Sequence, residues 1–283
     1  DHSELENRFQ IQEGGSGLAF VALLLLGNTL GCAPVALPDG ERRVALASAT
    51  EQVILPTYAE LRERSADLAS LLDELSSAPQ AADLTATRQA YLDVRVPLEE
   101  AQAFGFGPSL ELHSPAVLDQ SPIDALKLEA ELVAETELTP QHLRTLGANK
   151  RGLHAIEYLL FPADDAELEA ALLADDALGE RRRQFASAAG QLVADGAEAL
   201  LAAWEPENGG YARRFSEPGA PDSVSSSVQA GLDTLLNEAV VLSEVIANVK
   251  LGKPLGVTMG ASVDPAAQES ERAGASLSDM LGN

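Results

Sequence analysis

His154 and Glu157 are the residues whose types and spacing best suit chemistry in this chain. They lie three positions apart in a segment that predicts a helix, so both side chains share one helical face. One imidazole nitrogen and one carboxylate oxygen could then reach the same cation, and these donors suit zinc or iron. A pair with this spacing supplies part of the metal site in some helical-bundle proteins. Gly152, near the start of the same segment, would let another backbone or a ligand approach closely.

Two protein ligands leave a metal site incomplete, because a tight site needs three or four. Asp119 is the candidate for a third ligand, and Arg95 could hold a carboxylate in place or bind an anionic chelator. Other interpretations carry equal weight: Asp119 would cap the helix after it, and Arg95 would form a structural salt bridge. His154 and Glu157 could also hydrogen-bond each other or neighbouring helices, in a helical scaffold that binds no metal.

The motifs of standard zinc peptidases are missing from the sequence. His-Glu-x-x-His does not occur, and Tyr158 stands where His-x-x-Glu-His would need its second histidine. Glu157 would have to act as either metal ligand or general base, although hydrolysis needs both. The motifs therefore favour binding of a metal ion or metal chelate, and a metallopeptidase remains the alternative.

The composition favours helices and limits the partners. Hydrophobic residues make up 46% of the chain and aromatic residues 4%, so the core must be mainly leucine, alanine and valine. Leucine and alanine are strong helix formers. The formal net charge of -25 disfavours a broad basic face for nucleic acid or an anionic membrane surface, so no nucleic-acid partner is expected.

Apolar residues that recur at three- and four-residue steps predict a series of helices. The predicted helices cover 41–77, 84–103, 122–136, 140–161, 178–204 and 223–249. The dipeptides at 121–122 and 139–140 each combine an N-cap residue with a following proline, and Pro97 would bend or interrupt its helix. No stretch alternates convincingly as a strand. The expected fold is all-α, with two packed antiparallel helical bundles at 41–162 and 163–283.

The N-terminal region, residues 1–40, has the pattern of a secretion signal with a lipid-attachment site and a linker. Residues 17–27 form an uncharged apolar run that is too short to span a bilayer comfortably. Thr-Leu-Gly precedes Cys32, the only cysteine, and this resembles a lipobox whose cysteine is lipidated. A buried apolar helix with a core cysteine is the alternative, since the segment before the run is acidic. We expect a bacterial envelope lipoprotein, periplasm-facing or on the cell surface, that meets the membrane only through its lipid anchor.

Several segments together resemble the imelysin family and follow its order. Residues 152–161 read Gly-x-His-x-x-Glu-Tyr-Leu-Leu-Phe, which resembles the family motif. Residues 91–97 resemble its aromatic-x-x-x-Arg-x-Pro segment, and residues 103–108 resemble its Phe-x-Phe-Gly-Pro turn. Residues 118–124 resemble its Ile-Asp-x-Trp-Pro-x-Asp segment, with a serine in place of the tryptophan. Further matches at 204–215 and 250–256 extend the resemblance over roughly residues 45–283.

The resemblance implies two helical bundles with the motif near their interface, the second incomplete here, and an envelope location. The family is named for an insulin-cleaving peptidase, while related domains occur in periplasmic iron-uptake proteins. The metal ligands expected are His154, Glu157 and Asp119, with Arg95, Gln102, Gly152 and Asp124 as supporting residues. Gln102 stands where many members carry glutamate. We expect a divalent or ferric ion, iron before zinc because carboxylates are hard ligands, and a transport partner in the envelope.

Overall fold

The fold is all-α over the residues that the structure, a computed structural model, describes: 38–161, 170–205 and 210–257. Within these ranges there is no strand, as the sequence predicts. The helices are α1 (Asp39–Ala49), α2 (Leu55–Ser77), α3 (Ala81–Ala101), α4 (Pro108–Glu111), α5 (Ser114–Leu118), α6 (Ala125–Val133), α7 (Pro140–Thr145), α8 (Leu153–Leu160), α9 (Ala177–Trp204), α10 (Tyr211–Ser216), α11 (Val228–Val245) and α12 (Gly252–Leu255). The predicted signal with Cys32 lies outside the described residues, as does the end of the chain after residue 257.

Three long helices form the centre of the molecule, because α2 packs against both α3 and α9. Leu68 and Leu72 of α2 are buried in this core. Gly190 of α9 allows the close approach: a Cβ atom there would lie 2.6 Å from the Leu72 side chain. Asp176 begins α9 by accepting a hydrogen bond from the Gly179 N–H at 2.7 Å, which satisfies one of the free donors of the first turn.

Helices from both sides of residue 162 pack together, since α9 also contacts α8 and α7. The division of the chain into two bundles near residue 162 stays a prediction. The hydrophobic core runs continuously from Leu46 through Leu159 to Phe215. None of the helices described is long and apolar enough to cross a membrane.

Local signals explain where the helices differ from the prediction. Pro97 does not interrupt α3, which runs to Ala101. The helix expected from residue 122 begins only at Ala125, because Asp124 provides the cap. The helix expected over 140–161 is divided into α7 and α8, which are joined by a 3₁₀ turn at Ala148–Lys150.

Candidate metal centre

Gly152 brings the segment that carries Asp119 against the start of α8. It is the N-cap residue of α8, with φ at +83°, and does not lie inside a helix as the sequence suggested. A Cβ atom at this position would be 2.8 Å from the carbonyl oxygen of Leu118. Only glycine suits both this backbone conformation and this contact. The close approach leaves Asp119, the next residue along, beside His154.

The His154 ring lies between two carboxylates. Its Nδ1 is 3.0 Å from Oε2 of Glu157, and its Nε2 is 3.2 Å from Oδ1 of Asp119. The first contact has hydrogen-bond geometry, but the second does not, so buried Nε2 has no hydrogen-bond partner among the described residues. Glu157 therefore does not converge with Nε2 on one point, as the helical spacing suggested, but contacts the opposite side of the ring.

Arg95 of α3 links the two acidic residues nearest to it. Its Nη1 donates to Oδ1 of Asp119 at 2.6 Å, and its Nη2 donates to Oε1 of Glu99. Glu99 lies four residues further along the same helix, which places it on the same face. The Arg95 side chain is only 2% exposed, so these ion pairs are in a low-dielectric environment.

Glu99 also binds two groups on its other carboxylate oxygen. Gln102 donates to Oε2 at 2.7 Å, and Lys250 donates to the same oxygen. Lys250 belongs to a π-helical segment, Ile246–Leu251, and its side chain is buried. Glu99 and Lys250 were not among the residues expected at the site. The spacing of Glu99 from Arg95 could have indicated Glu99, whereas Lys250 is 151 positions away from Glu99 in the sequence and gave no signal.

Acidic side chains surround His154 in this buried cluster. The cluster contains three carboxyl groups, on Glu99, Asp119 and Glu157, and the two cations Arg95 and Lys250. A proton on His154, or a cation bound beside its ring, would place a positive charge next to Asp119 and Glu157. A buried positive charge is favourable only where acidic groups face it, as they do here.

The pKa values reflect this arrangement. Burial lowers the pKa of His154, but Asp119 and the hydrogen bond to Glu157 outweigh it and raise the pKa above its usual 6.5. Burial acts to raise the pKa of Asp119, but the Arg95 guanidinium and His154 bring it below its ordinary value. Burial raises the pKa of Glu99 against the opposing effect of Arg95. The hydrogen bond from Lys250 also acts to lower this pKa, but burial has the larger effect.

The remaining residues expected at the site have other positions. Asp124 caps α6, where its Oδ1 accepts from the Lys127 N–H at 3.1 Å and its Oδ2 lies 2.7 Å from Lys127 Nζ. That is a role in starting a helix, and the Lys127 side chain is exposed. Gln102 does lie in the cluster, but it donates to Glu99 and does not extend the set of acids.

His154 and Asp119 are the two side chains of the cluster that could hold a cation. No group of three or more His, Cys, Asp or Glu side chains in the described ranges is arranged to hold a metal ion. Nε2 of His154 nevertheless lies 3.2 Å from Oδ1 of Asp119. When Nε2 carries no proton, the lone pairs of these two atoms repel each other, and a cation between them would remove the repulsion. Histidine ligands usually donate their second ring N–H to a carboxylate, which fixes the tautomer, and Glu157 occupies that position here. This carboxylate is therefore engaged with His154 and is poorly placed to serve as the base of a peptidase.

Comparison with known proteins identifies relatives over most of the chain. The imelysin family model matches residues 54–283. Iron-regulated protein A of Synechococcus elongatus is 25% identical over 256 residues, which cover 87% of this chain and 67% of that protein. A solved structure from Parabacteroides distasonis, described as a candidate iron-regulated protein A precursor, has a TM-score of 0.74 at 19% identity, covering 89% of this chain and 73% of that one. An imelysin-like protein from Psychrobacter arcticum has a TM-score of 0.66 at 18% identity, covering 86% and 74%.

Proposed function

The chain belongs to the imelysin family, and from that premise we propose that it binds a divalent or ferric cation, free or as a chelate, through His154 and Asp119. Glu157 holds the His154 ring, and Arg95 holds the Asp119 carboxylate. The bound cation is cargo, taken up in the bacterial envelope as part of iron or other cation acquisition. Iron is the first candidate, because a relative carries the name iron-regulated protein A and because a carboxylate ligand favours harder ions.

The observation that carries this proposal is the state of His154 Nε2. This atom is buried, has no hydrogen-bond partner among the described residues, and lies 3.2 Å from a carboxylate oxygen. Buried polar atoms without partners are rare in folded proteins and call for an explanation. A cation between Nε2 and Asp119 would give this nitrogen a partner and would place a positive charge beside the carboxylate.

A site with two protein ligands suits a cation that is carried and released better than a metal that stays bound for catalysis. The other ligand positions stay available to water or to the cargo's own chelator, and weak protein ligation allows release. Hydrolysis would in addition need a general base beside a metal-bound water. Glu157 is hydrogen-bonded to His154, so the peptidase for which the family is named is the less favoured function for these residues.

A scaffold without metal is the second candidate, and the raised pKa of His154 favours it. If His154 is protonated, its two ring nitrogens face Glu157 and Asp119 as N–H groups, and the cluster joins α3, α8 and the segment Ile246–Leu251 without any ligand. The two candidates predict different metal contents, because the proton and the cation compete for the same nitrogen.

Metal binding decides between the candidates. Protein purified without chelator is dialysed against ferrous, zinc or ferric citrate solutions, and the bound metal is measured by elemental analysis. We expect one cation per chain, lost in His154→Ala and in the isosteric Asp119→Asn variant. His142→Ala is the matched control, because His142 Nε2 also faces a carboxylate, Glu131 at 3.3 Å, but outside the cluster.

Each outcome of this experiment has a clear meaning. Absence of metal from the folded wild type would favour the scaffold, and equal metal in the wild type and the Asp119→Asn variant would place the cation elsewhere. Metal-dependent cleavage of insulin B chain that is lost in both site variants would favour the peptidase. The envelope location is tested separately: we expect palmitate labelling of the full-length gene product, abolished by Cys32→Ser.

A further inference from the structure

A largely apolar cavity of about 290 Å³ lies next to the candidate metal centre. Its walls come from α2, α3, α9 and α11 and from the chain between α3 and Asp119. The apolar part is formed by Leu61, Leu98, Ala101, Leu118, Leu200 and Leu242. Pockets that bind small molecules are mostly apolar with a few polar groups, and they usually measure roughly 300–1,000 Å³. At about 290 Å³ the cavity lies just below this range, so it suits only a small organic molecule.

One carboxylate in the wall could bind the polar group of a ligand. Glu238 of α11 lines the cavity, and its carboxylate oxygens accept hydrogen bonds. A ligand with one amine or hydroxyl group could therefore donate a hydrogen bond to Glu238.

The charges around the cavity select against anions. The lining residues include two acids, Asp119 and Glu238, and no Lys or Arg. Arg95 offsets the charge of Asp119. No comparable cation pairs with Glu238 in the described residues, and its Oε2 lies over Gly105, where a Cβ atom would be only 3.1 Å away. An anionic ligand would therefore meet a carboxylate in a partly desolvated space.

We propose that this cavity binds a neutral or cationic organic molecule that has an apolar body and one hydrogen-bonding group. This goes beyond the cation proposed above and does not depend on it, because the apolar walls and Glu238 act without a metal. Asp119 belongs to both sites, so a bound molecule lies beside the cation when both are present.

Two dyes with the same ring system test the proposal. N-phenyl-1-naphthylamine is neutral, whereas 1-anilinonaphthalene-8-sulfonate adds one negative charge. Both are titrated by fluorescence into the full chain in chelator-treated buffer. We expect saturable binding of one neutral dye per chain, with affinity for the sulfonate lower by about tenfold or more. Glu238→Gln should reduce this difference.

Neighbouring valines on α11 provide a matched pair of variants. Val241 lines the cavity and is 51% exposed, while Val240 does not line it and is 58% exposed. Both can take a tryptophan without disturbing the core. Val241→Trp should abolish binding of the neutral dye and Val240→Trp should leave it unchanged. The proposal is overturned if the wild type does not bind the neutral dye, if it binds the sulfonate equally well, or if the two variants behave alike. Failure of cation binding alone would overturn only the cation site.

Discussion

Replacement of Arg95 by methionine should destabilise the protein far more than loss of an ordinary ion pair. The guanidinium bonds to both Asp119 and Glu99. Glu99 keeps Lys250 and Gln102 in the variant, so Asp119 is the carboxylate that loses its main cation. Removing one partner of a buried pair costs about 3–5 kcal/mol, because the other charge stays buried without compensation. For a domain of this size, that corresponds to a decrease in Tm of roughly 6–20 °C.

Arg64→Met is the control, because it removes an ion pair with the same spacing. Arg64 and Glu60 are also four residues apart on a helix, but the Arg64 side chain is 41% exposed. Its loss should cost no more than about 0.5 kcal/mol. Both variants are compared with the wild type by urea denaturation in chelator-treated buffer, with helix content followed by circular dichroism. The free energy of unfolding should fall by about 3 kcal/mol or more further in Arg95→Met than in Arg64→Met.

The pH dependence gives a second check on the same reasoning. As the pH falls towards about 4, Asp119 of the Arg95→Met variant can take up a proton and become neutral. The difference in stability between the variant and the wild type should therefore shrink in acid. A loss within about 1 kcal/mol at neutral pH, or a loss that does not change with pH, would show that the cluster is not an electrostatic unit.

Three further predictions concern the His154 side of the cluster. The raised pKa of His154 stabilises the metal-free protein at pH values below the unfolded value of 6.5, and this contribution is lost as the pH rises through the folded pKa. The free energy of unfolding, measured by urea denaturation between about pH 6 and 9, should therefore fall with pH, and His154→Gln should flatten this slope. An unchanged slope in the variant would contradict the assignment. Gly152→Ala should destabilise the protein by about 1–3 kcal/mol in urea denaturation, because φ is +83° and the new Cβ would lie 2.8 Å from a carbonyl oxygen. A substitution without effect on stability would refute this backbone geometry. Glu157→Gln should weaken cation binding by about 10–100-fold in calorimetric titration while leaving one site per chain, whereas loss of the site would make Glu157 a direct ligand.

The helices were predictable from the sequence because their signals are local. The helix expected over 178–204 is α9, Ala177–Trp204, since apolar spacing and the Asp176 cap lie within a few residues. The boundary at Ala125 was missed for a local reason too. The prediction took the Ser-Pro pair at 121–122 as the cap, whereas Asp124 caps the helix in the structure.

The candidate site was predictable only in part, because it depends on orientation and on distant contacts. The spacing of His154 and Glu157 indicated one shared helical face, and they do lie together. The spacing could not show that they contact each other, since that depends on side-chain rotamers. Asp119 lies beside His154 because Gly152 packs closely against the backbone of Leu118. Lys250 reaches Glu99 from the other end of the described chain. Neither contact leaves a local signal in the sequence.

Lys250 also makes α3 sensitive to damage far away along the chain. A protease that cut between α11 and Lys250 would leave Arg95, Glu99 and Asp119 on the longer fragment. If the shorter fragment then dissociated, Glu99 would lose the ammonium group that it binds in the folded protein. One cleaved bond near the end of the described chain would therefore weaken a buried cluster on a helix that is 151 positions earlier in the sequence.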